Sequence, residues 1–176
     1  MSEPFSVLSR EVAETERIAA TVAAHLRAGD ILLLTGDLAC GKTAFVKGLA
    51  AALGSTDTVT SPTYALVHNY RTDRCDVMHI DAYRVESVRE FTDLGLDEYF
   101  PECIVAIEWG DKVAGLFDDH LRIAFHLADA HEQHRLLSFD CSGERWGAEM
   151  TQLEAELGVQ RGADCGGVDG ESPAGH

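Results

Sequence analysis

The residues best placed to do chemistry form one short run, "GDLACGKT", from Gly36 to Thr43. They satisfy G-x-x-x-x-G-K-[ST], a loop whose backbone N–H groups cradle phosphates. In such a loop Lys42 reaches the β- and γ-phosphates of a nucleoside triphosphate, and the Thr43 hydroxyl serves Mg2+. Ala39, Cys40 and Gly41 lie within the loop, just before Lys42. Ala39 stands where a left-handed backbone would favour glycine. Cys40 is small enough for the loop, and a place beside a lysine at a helix start is the electropositive setting that makes thiols reactive.

A phosphate loop also needs acids to hold the metal and orient water, and these stand at the C-terminal ends of apolar strands. Two positions qualify: Asp81 after "VMHI" and Glu108 after "IVAI". We assign Glu108 to the Mg2+ site and Asp81 to an attacking or metal-bound water, with the reverse division open. The candidate catalytic set is Lys42, Asp81 and Glu108, and the candidate metal ligands are Thr43 and Glu108. "SPTY", Ser61 to Tyr64, offers hydroxyls close to a γ-phosphate and suits a nucleotide-sensing switch, or is a plain turn. Arg84 in "DAYR" is either an arginine finger in cis or half of a surface ion pair. Trp109 packs in the core, stacks on adenine or meets a partner. The histidines of "HLADAHEQH" fit no standard zinc spacing.

These residues need a framework. "ILLL", Ile31 to Leu34, is a strand buried on both faces, and "KTAFVKGLAAAL" is a helix stopped by Gly54, so the loop lies between a strand and a helix. Upstream, Ser9 caps a helix that runs to about Ala28 before Gly29. Downstream the pattern gives strands at Thr63 to Thr72 and Asp76 to Asp81, a helix to about Leu94, and a buried strand from Cys103 to Gly110. Two alternating strands, "HLRIAFHLA" and "HRLLSFDCSG", pair antiparallel, and "ERWGAEMTQLEAELG" closes the fold as a helix. The expected class is α/β: a P-loop NTPase fold with a central, largely parallel sheet, flanking helices and antiparallel edge strands. One domain spans residues 1–157, and the Gly-, Ser- and Asp-rich stretch of residues 158–176 reads as a disordered tail.

Bulk properties narrow the role. With 14 Lys and Arg against 30 Asp and Glu, the 176-residue chain carries a net charge of −16. Such a surface repels a nucleic-acid backbone, so strong direct binding of RNA or DNA is not expected. No apolar run is long enough to span a bilayer, and "MSEPFSVLSREVAETE" lacks the form of a secretory signal. Five cysteines, an odd count without C-x-x-C, suggest neither a disulfide framework nor a zinc site. A soluble cytoplasmic protein is expected. A small-molecule kinase would need an acceptor pocket and a basic lid, and there is no Arg-rich insert to form the lid.

"GDLACGKT", "SPTYALV", "DAYR" and "IEWG", in this order and spacing, resemble the TsaE family of small bacterial P-loop ATPases. The likeness runs from about Phe5 to Gly143. It implies ATP and Mg2+ as ligands, slow ATP hydrolysis, and a place in making threonylcarbamoyladenosine beside the anticodon of tRNA. It also implies docking on the TsaB–TsaD pair, which the ATPase resets or activates. Carried onto this chain, the resemblance has Ala39 to Ala44 holding phosphates, Thr43 and Glu108 at the metal, Asp81 supporting hydrolysis, Trp109 on the nucleotide or partner side, and Thr15 near the base. The family's usual Gly-Ala is Ala39-Cys40 here, which bears on the loop's fine geometry.

Overall fold

The computed structural model describes residues 3–62, 65–128 and 133–158. The apolar runs become the centre of a sheet. β1 (Phe5–Ser9) leads to α1 (Val12–Ala24), β2 (Ile31–Thr35), α2 (Lys42–Ala52), β3 (Val67–Tyr70) and β4 (Val77–Asp81). Then come α3 (Val88–Asp93), β5 (Ile104–Glu108), β6 (His120–Leu127), β7 (Arg135–Ser142) and α4 (Gly147–Glu156). The seven strands lie in the order β1-β7-β6-β2-β5-β4-β3. β6, β2, β5 and β4 run parallel, while β3 on one side and β7 and β1 on the other pair antiparallel. The expected α/β class, with a parallel centre and antiparallel edges, is what the chain adopts.

Alternate residues of the central strands feed two cores, as period-2 geometry requires. Leu32 and Leu34 join Phe45, Leu49, Val22 and Trp146 under α1, α2 and α4. Ile31, Leu33, Val105 and Ile107 join Phe91, Val113 and Met78 on the other face. Every residue of β4 and β5 is buried, so the acids that end these strands are buried too.

The N-terminus departs from expectation. Ser9 does not cap a helix; it ends β1, in register with Arg135 of β7. Phe5 stacks on Phe139 at 4.9 Å, a partner too distant in the chain for a local pattern to reveal. α1 starts without a side-chain cap and stops at Ala24 rather than Ala28, because the chain then turns through Gly29 toward β2. The strand expected from Thr63 is shorter: Leu66 takes a left-handed φ of 68° and pairing begins at Val67. Thr63 and Tyr64 lie outside the described residues, as does the expected tail from residue 159 onward. Among the described residues no helix is long and apolar enough to cross a membrane.

Candidate nucleotide-binding and catalytic site

The loop leaves β2, at the middle of the sheet, and turns into α2, whose first residue is Lys42. Gly36 and Gly41 have φ of 130° and 110°, and Ala39 between them is left-handed at 60°. A side chain at Gly36 would meet the Phe125 carbonyl at 2.5 Å, so only glycine fits there. Successive turns of this kind aim backbone N–H groups inward at an anion, and the start of α2 adds positive potential. Arg135 of β7 donates from Nε to the Cys40 carbonyl at 3.0 Å and fixes the loop's outer side.

A cavity of about 620 Å3 opens over this loop. Ala39, Cys40, Gly41, Lys42, Thr43, Ala44, Ser61, Asp81, Glu108 and Trp109 all line it. The sequence candidates therefore converge, with two exceptions. Thr15 is 3 % exposed, its hydroxyl lies 2.7 Å from that of Ser9, and it lines an adjoining hollow with Ala39 and Cys40. Arg84 is exposed and lines a separate hollow beside Lys112. Cys40 is buried, with Sγ 3.5 Å from the Lys42 ammonium. Asp129, His131 and Glu132 of the histidine-rich stretch lie outside the described residues.

Lys42 is held inside the loop. Its ammonium donates to the carbonyls of Gly36 at 2.7 Å and Asp37 at 2.8 Å, and stands 4.5 Å from the centre of the Trp109 ring. Each of these partners is neutral, so a phosphate can exchange for them. Trp109 has a left-handed φ of 58° and packs against Tyr83, which also lines the cavity. Both core-like packing and a place on the cavity wall therefore hold for Trp109.

The two acids end neighbouring parallel strands at the same level, Asp81 opposite Glu108. The Asp81 carboxylate accepts the Tyr83 N–H at 2.9 Å. Glu108 accepts the Thr43 hydroxyl at 2.8 Å, and both of these residues line the cavity. Burial alone would raise the pKa of Glu108. Hydrogen bonds from His79 and Thr43, with the charges of His79 and Lys42, outweigh it and hold the carboxyl below its ordinary range. The set fits a nucleotide carrying Mg2+: an anion cradle, one ammonium, and a hydroxyl–carboxylate pair of hard oxygen donors.

His79 was given no role by its sequence context. It is wholly buried, with Nε2 2.9 Å from the same Glu108 oxygen that Thr43 bonds. The available signal was a polar residue two places before Asp81 in an otherwise apolar strand, hence on Asp81's face.

A glycine-rich loop between a central strand and a helix, faced by acids from the next two strands, defines a P-loop NTPase fold. Within that class the chain belongs to the TsaE family: the model described as "Threonylcarbamoyl adenosine biosynthesis protein TsaE" matches residues 9–137. The tRNA threonylcarbamoyladenosine biosynthesis protein TsaE of Bacillus subtilis is 39% identical over 137 residues, 76% of this chain and 83% of the relative. The protein of the same name from Streptomyces coelicolor is 39% identical over 127 residues, covering 69% and 86%. The crystal structure of Bacillus subtilis YdiB superposes with a TM-score of 0.74 at 30% identity, covering 89% of this chain and 97% of that one.

Proposed function

We propose that the protein is a Mg2+-dependent ATPase of tRNA threonylcarbamoyladenosine biosynthesis, acting on the TsaB–TsaD pair to activate or reset it. The observation that carries the catalytic part is the Thr43–Glu108 hydrogen bond of 2.8 Å at the mouth of the loop, with Asp81 on the adjacent strand. Family membership and the names of the relatives support the pathway. The net charge of −16 supports leaving the tRNA to partner proteins.

In this reading residues 36–44 bind the phosphates through backbone N–H groups. Lys42 would exchange the Gly36 and Asp37 carbonyls for the β- and γ-phosphates, and Thr43 and Glu108 would hold Mg2+. The metal, when bound, neutralises charge on the phosphates undergoing transfer. Asp81, fixed by the Tyr83 N–H, orients water near the γ-phosphate. Trp109 closes the side of the cavity and Thr15 supports the loop from behind. The protein works in the cytoplasm.

ATP hydrolysis by the purified protein with Mg2+, alone and with TsaB–TsaD, tests this in wild type and Glu108→Ala. Slow turnover that changes with the pair and is lost in the mutant is expected. A pair that neither binds nor alters turnover would refute the partner assignment.

A further inference from the structure

We propose that His79 is a positioning residue. It holds Glu108 in the orientation that meets the metal, and couples that carboxylate through Tyr70 to the segment at Thr60 and Ser61. This rests on the ATPase reading above and deepens it by naming how the cavity wall and the acid are linked.

The imidazole is fully buried and both of its nitrogens have partners. Nε2 lies 2.9 Å from Glu108 Oε1, and Nδ1 lies 3.3 Å from the Tyr70 hydroxyl. Tyr70, itself 4 % exposed, donates to the Thr60 carbonyl at 3.0 Å. The next residue, Ser61, lines the cavity over the phosphate loop. A continuous chain of contacts therefore runs from the acid to the cavity wall through two buried side chains on adjacent antiparallel strands.

A purely structural role suits this position poorly. β4 is buried throughout, and an aliphatic side chain there would avoid the cost of burying a polar ring. Glu108 Oε1 takes both the Thr43 and the His79 bonds, while Oε2 has no hydrogen-bond partner among the described residues. Two bonds on one oxygen fix the carboxylate's rotation, so that the other oxygen stays available. Thr43 alone fixes it less well, because its hydroxyl is also the metal's expected ligand.

The Tyr70 hydroxyl supplies the coupling. It has one proton, and the Thr60 carbonyl, His79 Nδ1 and His68 Nδ1, the last also at 3.3 Å, all lie within its reach. The 3.0 Å and 3.3 Å separations place it on Thr60 here. A ligand that moves Ser61 and Thr60 shifts the Tyr70 hydroxyl that Thr60 holds, and with it the imidazole packed between Tyr70 and Glu108. Contact with the γ-phosphate end of the cavity would thereby set the acid.

The test uses the full chain carrying His79→Leu, His79→Gln or Tyr70→Phe, with Glu108→Ala as control. Three quantities are measured: kcat and KM for MgATP, the ratio of affinities for a non-hydrolysable ATP analogue with and without Mg2+, and amide exchange at Thr60 and Ser61 with that analogue. We expect His79→Leu to lower kcat about tenfold or more, with KM within about threefold, and to remove most of the Mg2+-dependent gain in analogue affinity. His79→Gln, which can still donate to Glu108, should recover much of both. Tyr70→Phe should keep the Mg2+-dependent gain but lose the analogue's protection of Thr60 and Ser61. His79→Leu with an unchanged Mg2+ ratio would overturn the positioning role, as would no rescue by Gln. Analogue protection of Thr60 and Ser61 that is intact in Tyr70→Phe would overturn the coupling. If wild type fails to hydrolyse ATP, or Glu108→Ala hydrolyses normally, the ATPase reading fails instead; the affinity ratio and the exchange data still decide the role of His79.

Discussion

The two ends of β2 each carry a buried ionic cluster, built to opposite rules. At the start of the strand, Asp30 receives Arg145 through Nε at 3.1 Å and Nη2 at 2.9 Å, and also accepts the Arg27 N–H at 2.9 Å. Arg145 spends a further bond on the His25 carbonyl at 2.7 Å and stacks over Trp146 at 4.6 Å. His25 in turn bridges Glu149 at 2.8 Å and Glu156 at 3.1 Å, clasping α4 against α1. Here each charge has a permanent opposite partner. At the other end of β2 the Lys42 charge rests on two carbonyls and an aromatic ring, while Asp81 and Glu108 face a cavity. Backbone strain divides the same way. The three non-glycine residues with positive φ among the described residues are Ala39, Leu66 and Trp109. Two line the cavity, and the third accepts the Asp81 N–H at 2.9 Å. A charge cluster closed on itself holds a fold together; one with exchangeable partners and stored strain is ready for a ligand.

The contrast can be broken most forcefully at the closed end. Arg145→Ala leaves Asp30, 5 % exposed, with only the Arg27 guanidinium at 3.9 Å as a charged partner, and should cost about 3 kcal/mol of stability. Denaturant unfolding would show the loss, while turnover per folded molecule stays at the wild-type level. At the open end the signature reverses. Glu108→Ala should lower turnover by ~10²- to 10³-fold, with Mg2+-free nucleotide affinity little changed, the Mg2+-dependent gain lost, and a smaller stability loss than Arg145→Ala. Steady-state kinetics with calorimetric nucleotide titration would separate these effects. A large stability loss in that variant would make the open cluster structural after all.

Smaller changes sharpen the comparison. Ala39→Gly relieves a left-handed φ of 60°, and thermal unfolding should show a gain of up to ~1 kcal/mol. The smallest effect is in the pH dependence of the clasp. Burial works against the charged form of His25, but the hydrogen bonds and charges of Glu149 and Glu156 outweigh it and raise its pKa. The hydrogen bond from His25, against slight desolvation and with help from Arg145, lowers the pKa of Glu149. The raised His25 contributes stability that is fully present below its unfolded value, about 6.5, and is lost as pH rises through the folded value. The lowered Glu149 contributes above its unfolded value, about 4.3, and is lost as pH falls through the folded one. α4 should thus be held best between roughly pH 4.5 and 6.5, and His25→Gln should flatten the upper limb of the stability–pH curve. An unaltered curve would show that the clasp does not depend on the imidazole's charge.

Much of the open end was legible from local pattern. The loop motif, the strand before it and the helix after it occupy consecutive residues, so their spacing is set by the covalent chain. The acids were legible because each ends an apolar run, and a parallel sheet presents such ends on one edge. The parallel centre and the late antiparallel pair followed from the order and periodicity of the runs. β1 was not legible: its five residues acquire strand character by pairing with β7. The closed end was not legible either, since Asp30 and Arg145 are 115 residues apart and look separately like ordinary surface charges.

The sequence by itself determined the class of fold, the phosphate loop, and the residues that could serve a nucleotide and its metal. Only the tertiary structure decided which of them meet: Thr43 with Glu108, Lys42 with Trp109, and His79 with both Glu108 and Tyr70. The physical reason is the reach of each determinant. Turn geometry and hydrophobic period act over a few residues. The partner of a buried polar group is set by sheet register and strand order, which arise when the chain packs and every such group must find a hydrogen bond.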